Sequence, residues 1–228
     1  MKIRIAIDGP SGSGKSTLAK NLAREMGLVY VDTGALYRSV GLFVKRRGVE
    51  PTASLQVTAL LPEIDLSLTY TDAGQRVILG GEDVSDLIRT NEISMYASAV
   101  SAIPAVRKFL LEIQKKMAIE GNVVMDGRDI GTVIMPDADV KLFLESNAGA
   151  RARRRYEELI AKGQECSEEE VYSKMVERDK NDSSRETAPC VPADDAVFVD
   201  NSELTQEETL ALAMGIIREK LKRKNGEA

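Results

Sequence analysis

Short apolar runs alternate along the chain with longer segments in which apolar residues recur at helical spacing. The apolar runs are residues 3–8, 28–32, 122–126, 140–145 and 196–200, with the sequences IRIAID, LVYVD, NVVMD, VKLFLE and AVFVD. Strands that alternate with helices in this way are typical of βαβ units, whose strands form a parallel sheet. The pattern therefore predicts an α/β fold. It also places acidic residues at the carboxyl ends of strands, where open α/β sheets bind ligands.

Two capping patterns predict where helices begin in the C-terminal part of the chain. Ser167 stands three residues before Glu170, and Thr205 stands three residues before Glu208. Both pairs fit the S/T-x-x-E capping box, in which each side chain satisfies a backbone N–H group of the other residue. The second box is followed by apolar residues at helical spacing, which predicts a packed C-terminal helix.

Residues 62–86 depart from the α/β pattern. Apolar and polar residues alternate over 66–70 and again over 77–79, and the sequence DAG at 72–74 separates the two stretches. Alternation with a period of two on both sides of a turn predicts an antiparallel hairpin. The chain is therefore expected to carry a small antiparallel insert.

The composition argues against several classes of protein. The chain has 228 residues, of which 43% are hydrophobic and 29% charged, as in a globular protein with a sizeable core. The net charge of −5 and the lack of tryptophan argue against nucleic-acid binding. Two cysteines, Cys166 and Cys190, without any histidine, give neither a disulfide framework nor a zinc site. No signal peptide or membrane-spanning run is visible, so we expect a cytoplasmic protein with no membrane partner.

Residues 9–16, GPSGSGKS, fit the phosphate-binding pattern G-x-x-x-x-G-K-[ST] in full, between a predicted strand and a predicted helix. Glycines let the backbone N–H groups turn inward, and the helix N-terminus adds partial positive charge, so such a loop binds di- or triphosphate. Lys15 would reach the β- and γ-phosphates, and Ser16 would bind Mg²⁺. The candidate ATP-binding residues here are Gly9, Pro10, Ser11, Gly12, Ser13, Gly14, Lys15, Ser16 and Thr17.

A phosphate-binding loop predicts nucleotide binding but leaves the reaction open, because GTPases, motor ATPases and small-molecule kinases share it. The guanine-reading sequence N-K-x-D is absent from the chain, which argues against a GTPase. Asp126 ends a predicted strand and suits a second position near the metal ion. The short chain and its arginines outside the loop favour a transferase.

Arginines follow the predicted strands and offer further anion sites. Arg38 lies in DTGALYR after the second strand, and Arg128 lies in DGRDIGT after the third. Arg178, Asp182 and Arg185 are spaced i, i+4 and i+7, so a helix would place them on one face. Because a transferred phosphoryl group spreads negative charge over three oxygens, these arginines are candidates to stabilise it. Plain structural ion pairs are the competing interpretation.

Together these motifs resemble the bacterial cytidylate kinase family of nucleoside monophosphate kinases. The resemblance runs in order from roughly residue 3 to residue 200 and includes IRTNEISMYAS, RARRR and ERDKNDSSRETAP, with DGRDIGT and the insert as its most specific parts. It implies a P-loop core with a five-stranded parallel sheet flanked by helices. It also implies a single kinase domain, with a core at 1–33, 106–147 and 188–228, a monophosphate-binding region at 34–105 and a helical lid at 148–187.

The resemblance implies phosphoryl transfer from ATP, with Mg²⁺, to CMP or dCMP. We expect a monomer, because both attachments must move freely. By motif, the catalytic residues would be Lys15, Arg128, Arg178 and Arg185, with Ser16 and Asp126 at the metal ion and Arg154 and Arg155 at the donor. The CMP-binding residues would be Thr33, Tyr37, Arg38, Ser98, Arg107, Arg128, Asp129, Arg178, Asp182 and Arg185.

Cytosine reading would fall to Ser98, Arg107 and Asp129, because a carboxylate can accept from the N4 amino group that uracil lacks. The sequence departs from the family pattern at Asn181 and Ser183, where other members can carry arginines.

Two alternatives stay open at the level of sequence. The first keeps the class of P-loop kinase and changes the acceptor to UMP, dTMP or a shikimate-like molecule, because spacing alone does not name a base. The second is a non-enzymatic P-loop module that binds ATP and a partner protein. It predicts no ADP production with any small acceptor.

Overall fold

The computed structural model describes residues 2–71, 74–161, 163–224 and 226. These residues form two compact units, each described by itself below. The first unit comprises the residues up to Val29 together with those from Gly121 onward, and the second comprises Tyr30–Glu120.

Strands and helices alternate over most of the described residues. The strands are β1 (Arg4–Asp8), β2 (Val29–Asp32), β3 (Leu66–Thr71), β4 (Gly74–Leu79), β5 (Glu82–Asp83), β6 (Val123–Gly127), β7 (Val140–Glu145) and β8 (Val197–Asp200). The helices are α1 (Lys15–Met26), α2 (Thr33–Arg46), α3 (Ser54–Leu60), α4 (Asn91–Val100), α5 (Pro104–Glu120), α6 (Ala148–Ala161), α7 (Glu168–Ser183) and α8 (Gln206–Lys224). A single π-helical turn, Ile130–Ile134, follows β6.

Five of the strands form one sheet in the order β2-β6-β1-β7-β8. Strand β1 lies at its centre, and it pairs in parallel with β6 on one side and β7 on the other. Ile5, Ala6 and Ile7 of β1 are fully buried, as expected for a central strand covered on both faces. The predicted α/β fold with a five-stranded parallel sheet is confirmed. The register sets Asp8 opposite Gly127, so the chain leaves β1 and β6 at the same edge.

The second predicted capping box is present with both of its hydrogen bonds, and the first is seen as an N-cap with one of them. The Glu170 backbone N–H donates to Ser167 Oγ (3.1 Å) at the start of α7. In the second box the Thr205 N–H donates to Glu208 Oε2 (2.9 Å), and the Glu208 N–H donates to Thr205 Oγ1 (3.2 Å). These bonds satisfy N–H groups that the first turn of a helix leaves without intrahelical partners.

The second unit contains helices α2 to α5 and a small antiparallel sheet in the order β3-β4-β5. The predicted hairpin is confirmed, with Leu66 opposite Leu79. Strand β5 adds a third strand that the alternation did not predict, because it is only two residues long. Of the predicted turn at 72–74, residues 72 and 73 lie outside the described residues. Residues 106–120, which the resemblance assigned to the core region, belong to α5 and cluster with the second unit.

Within the part of the chain that the structure describes, none of the helices has the length and apolar character needed to cross a membrane.

Candidate active site

Three glycines shape the loop between β1 and α1. Gly9 has φ +145°, and a side chain built on it would overlap the backbone carbonyl oxygen of Leu144 in β7. Gly12 and Gly14 have φ +72° and +86°, in the left-handed region that side chains rarely adopt. Gly14 is also the N-cap of α1, which begins at Lys15. The glycine spacing therefore reflects real backbone requirements of the loop.

Replacing Gly9 with alanine is expected to destabilise the protein by about 3 kcal/mol or more, because the added carbon both strains the backbone and overlaps Leu144. Urea unfolding measures the effect. Gly215→Ala is the matched control: Gly215 lies in α8 with open space around it, so alanine there should be neutral or stabilise by about 0.5–1 kcal/mol. Equal unfolding midpoints for wild type and the Gly9 variant would contradict this account of the loop.

The Lys15 amine lies inside the loop. Its Nζ donates to the backbone carbonyl oxygen of Pro10 (2.5 Å) and to Ser13 Oγ (3.3 Å), and the residue is only 5% exposed. Burial, and after it the neighbouring Arg128 guanidinium, lowers the pKa of Lys15 to about 7. A desolvated amine, whose charged form burial disfavours, therefore lies at the N-terminus of α1, where the helix adds its own partial positive charge.

Two of the predicted metal ligands contact each other. Ser16 Oγ donates to Asp126 Oδ2 (2.7 Å), and Asp126 is buried at the end of β6. A hydroxyl and a carboxylate are oxygen ligands of the kind that Mg²⁺ prefers. The described residues hold no cluster of three or more His, Cys, Asp and Glu side chains suited to a metal.

Arginines and one carboxylate form a charged cluster beside the loop. Arg128 Nε donates to Asp182 Oδ2 (2.9 Å), and Arg185 Nη1 lies 3.5 Å from Asp182 Oδ1. Burial alone would raise the pKa of Asp182, but the charges of Arg128 and Arg178 hold it below its ordinary value. Asp182 therefore stays ionised and orients the arginines around it.

The predicted helical face at 178–185 is only partly present. Helix α7 ends at Ser183, so Arg178 and Asp182 share the helix, whereas Arg185 lies beyond its C-terminus. The contact with Asp182 nevertheless brings Arg185 into the cluster. Arg185 therefore lies near Asp182 as predicted, but the helical spacing is not the reason. The chain brings Arg185 back to Asp182 after the helix has ended.

Asp8, the last residue of β1, is a buried site residue that the sequence did not single out. Its two carboxylate oxygens accept from the backbone N–H groups of Ile130 (2.8 Å) and Gly131 (2.7 Å). Burial raises the pKa of Asp8 to about 7, although these two hydrogen bonds lower it. Asp8 therefore ties the strand that precedes the phosphate-binding loop to the segment that follows Arg128 and Asp129.

Arg154 and Arg155 have different surroundings. Arg154 Nη2 donates to the backbone carbonyl oxygen of Asn201 (2.7 Å), and Asn201 Nδ2 donates in turn to the carbonyl oxygen of Ser13 (2.9 Å). Arg154 thus connects α6 to the phosphate-binding loop through the end of β8. Arg155 pairs with Glu158 (2.9 Å) on its own helix. The predicted contacts of both arginines with ATP stay predictions.

In the second unit, Asp32 organises the start of α2. Its carboxylate accepts from the Ala35 N–H group (2.9 Å) as an N-cap, and it also accepts from Arg38 Nη2 (2.7 Å). Gly34 fits beside them because a side chain there would lie 3.1 Å from Arg38 Nη1. Thr33 is buried as the first residue of α2. The sequence DTGALYR therefore sets Arg38 over a helix N-terminus.

Three more predicted acceptor residues are linked within this unit. The Arg107 guanidinium lies 5.5 Å from the centre of the Tyr37 ring, a cation–π distance. Arg107 Nη1 donates to the Ser101 carbonyl oxygen (3.2 Å), and Ser101 Oγ donates to the Ser98 carbonyl oxygen (2.8 Å). Tyr37, Arg107 and Ser98 therefore share one neighbourhood. Asp129, which is predicted to read cytosine together with Ser98 and Arg107, belongs to the first unit.

A cavity of about 690 Å³ in the first unit lies beside the charged cluster. Its lining includes Pro10 of the loop, Ser146, Lys180, Asp182 and Cys190. This volume lies within the range of small-molecule and cofactor sites. The cavity is thus a candidate place for a nucleotide.

The chain is similar to a large group of known proteins. A family model described as cytidylate kinase matches residues 5–219. A cytidylate kinase from Carboxydothermus hydrogenoformans is 46% identical, over 96% of this chain and 98% of its own. One from Fervidobacterium nodosum is 47% identical over the same shares of the two chains. Among solved structures, a shikimate kinase from Bacteroides thetaiotaomicron is similar with a TM-score of 0.50 at 15% identity, covering 96% of this chain and 99% of its own.

Proposed function

The chain belongs to the cytidylate kinase family, and from that premise we propose how its residues transfer the γ-phosphoryl group of ATP to CMP or dCMP, giving ADP and CDP or dCDP. It is an enzyme of the nucleoside monophosphate kinase class, a phosphotransferase. The proposal concerns the role of each residue, the metal ion and the choice of acceptor.

The observation that carries the proposal is the charged arrangement of the first unit. A buried amine, Lys15, lies inside a formed phosphate-binding loop, and Arg128 with Arg185 converges on Asp182 beside it. Phosphoryl transfer needs little covalent chemistry from the protein, and it depends on positioning and on stabilising negative charge. Basic groups that are buried or half-buried around an anion-binding loop supply both requirements.

The acceptor needs no strong general base. The second pKa of a phosphate monoester is about 6, so at neutral pH CMP already presents a dianionic phosphate as nucleophile. One of its oxygens forms the new bond to the γ-phosphorus, the bond to the bridging oxygen of ADP breaks, and ADP leaves with that electron pair. This agrees with a chain that contains no histidine.

On the donor side, the backbone N–H groups of the loop would hold the ATP phosphates, and Lys15 would leave the Pro10 carbonyl oxygen for the β- and γ-phosphate oxygens. Ser16 and Asp126 would hold Mg²⁺, which when bound neutralises charge on the β- and γ-phosphates. Arg128, Arg178 and Arg185 would stabilise the charge on the transferred group.

On the acceptor side, we assign Arg38 and Thr33 to the phosphate of CMP, and Tyr37, Ser98 and Arg107 to its nucleoside. The surroundings of Arg38 and Arg107 support this, because Arg38 is paired with Asp32 and the Arg107 guanidinium lies over the Tyr37 ring. A cytoplasmic location and action as a monomer remain parts of the proposal. Cys166 and Cys190 are free thiols, which suits a reducing compartment.

Asp129→Ala is expected to lower the preference for CMP over UMP by at least about tenfold, because a carboxylate that accepts from the cytosine amino group contributes about 1–3 kcal/mol of discrimination. Turnover of CMP and UMP at saturating ATP measures it. The KM for ATP should change by less than about twofold, since the base of the acceptor is read apart from the donor phosphates. An unchanged ratio of kcat/KM for CMP and UMP would remove Asp129 from base recognition.

The decisive test of the function is a comparison of CMP, dCMP, UMP, dTMP and shikimate as acceptors with ATP and Mg²⁺. We expect ADP to form rapidly with CMP and dCMP and at least tenfold more slowly with the others. One base-specific contact contributes about 1–3 kcal/mol of discrimination, which corresponds to tenfold or more. ATP binding without turnover of any acceptor would favour the non-enzymatic alternative and overturn the proposal.

A further inference from the structure

The backbone of Ser11, in the phosphate-binding loop, is bonded on both sides by one ion pair. The Ser11 N–H group donates to Asp179 Oδ1 (3.2 Å), and the Ser11 carbonyl oxygen accepts from Arg151 Nη1 (2.8 Å). Arg151 Nη1 also donates to Asp179 Oδ2 (2.5 Å), which closes a ring of three hydrogen bonds. Arg151 comes from α6 and Asp179 from α7, both in the segment predicted to be a lid.

The pair is built into the protein. Arg151 is only 5% exposed, and its Nε donates to the Ser146 carbonyl oxygen (2.9 Å), which fixes the plane of the guanidinium. Next to it, Met175 of α7 covers Gly12, because a side chain built on that glycine would lie 3.1 Å from Met175 Cε. Both helices therefore pack directly on the outer half of the loop.

An ion pair with this geometry is suited to hold backbone. Arginine presents its donors in a rigid planar fork, and its bonds to ionised partners are stronger than bonds between neutral groups. The loop residues Ser11 and Gly12 have few side-chain atoms that could fix them otherwise. Arg151 and Asp179 therefore hold the two peptide groups that flank Ser11.

We propose that Arg151 and Asp179 are positioning residues for ATP. Together they fix the two peptide groups that flank Ser11. The phosphate-binding loop therefore has its binding conformation when α6 and α7 are both docked on it. The inference rests on the proposed function only in taking ATP as the ligand of this loop. The pair itself need not touch the nucleotide, and it acts through the backbone of Ser11 and Gly12.

The test measures Mg·ATP binding directly, by calorimetry without any acceptor. Asp179→Ala should weaken binding about tenfold, the scale of one charge-assisted hydrogen bond. Asp179→Asn keeps an acceptor for the Ser11 N–H group and should weaken binding less. Arg151→Met should weaken Mg·ATP binding about as much as Asp179→Ala. The double variant should bind Mg·ATP at most about threefold more weakly than either single variant, because the two residues act as a unit.

The control breaks another contact between the same two helices. Arg153 and Glu168 lie 3.9 Å apart and are exposed, so Arg153→Met should leave Mg·ATP binding within about twofold of wild type. Thermal unfolding and the KM for CMP are measured on every variant. The proposal holds if ATP binding weakens while the KM for CMP stays within about twofold, as expected for sites that share no contacts.

Three results would overturn the proposal. Unchanged Mg·ATP binding in Asp179→Ala would show that the ring of hydrogen bonds does not determine the binding conformation of the loop. If the loss of Mg·ATP affinity in the double variant equalled the product of the two single losses, the residues would act separately. Equal losses for ATP and CMP, with a lower unfolding temperature, would show a purely structural role. Because Mg·ATP binding is measured without an acceptor, the first two results stand whether or not the chain phosphorylates CMP.

Discussion

Lys15→Ala is expected to lower kcat for phosphoryl transfer by about 10²–10³, which corresponds to about 3–4 kcal/mol of transition-state stabilisation by a single donor to an oxyanion. The amine already lies inside the loop, 2.5 Å from the Pro10 carbonyl oxygen, so it has only a short way to move to a phosphate oxygen. ADP production with CMP as acceptor, measured over a range of ATP concentrations, separates kcat from KM.

The same variant is expected to keep its stability, and this distinguishes a catalytic role from a structural one. Burial disfavours the charged form of Lys15, as its lowered pKa of about 7 indicates, so removal of the amine relieves a desolvation cost while it removes two hydrogen bonds. Lys20→Ala, on the exposed side of α1, removes the same charge as a control. Near-normal turnover in Lys15→Ala, or an equal loss in Lys20→Ala, would contradict the assigned role.

The phosphate-binding loop could be predicted from the sequence because its determinants are local. Gly9, Gly12 and Gly14 meet backbone requirements within the loop itself or against one neighbouring strand. The same holds for the capping boxes, where the two partners are three residues apart. The five core strands follow from apolar runs, which the parallel sheet buries in β1, β6 and β7 and leaves partly exposed in the edge strands β2 and β8.

Contacts between residues far apart in the sequence could not be predicted in this way. Asp8 binds the backbone at Ile130 and Gly131, more than 120 residues later, and backbone N–H groups carry no sequence signal. The pair Arg151 and Asp179 comes from two helices whose packing the sequence does not specify.

The arginines of RARRR show most clearly what the sequence cannot predict, because residue type alone does not distinguish a surface arginine from a buried one. In RARRR, Arg151 is 5% exposed and holds the loop, whereas the Arg153 side chain is 72% exposed. Helical spacing places some of these side chains inward, but only the packing of α6 on α7 and on the loop decides which of them reaches Ser11. The prediction of Arg154 and Arg155 as donor residues therefore passed over Arg151.

Arg128→Ala is expected to lower kcat by about 10³ or more, the range found for arginines that stabilise a transferred phosphoryl group. Arg128 is half-buried, and its bond to Asp182 (2.9 Å) fixes the guanidinium in one orientation before any substrate binds. Burial alone would lower the pKa of Arg128, but the Asp182 carboxylate keeps it above its ordinary value, so the residue stays charged. A fixed charge of this kind needs no reorganisation when negative charge moves onto the transferred group.

Two further variants separate charge from geometry. Arg128→Lys keeps the positive charge without the planar fork, so it should recover only part of the loss, by about tenfold over alanine. Arg223→Ala removes an exposed arginine paired with Glu219 in α8 and should leave kcat within about twofold. A kcat within about twofold of wild type in Arg128→Ala, or an equal loss in Arg223→Ala, would contradict the assignment of Arg128 to the transferred phosphoryl group.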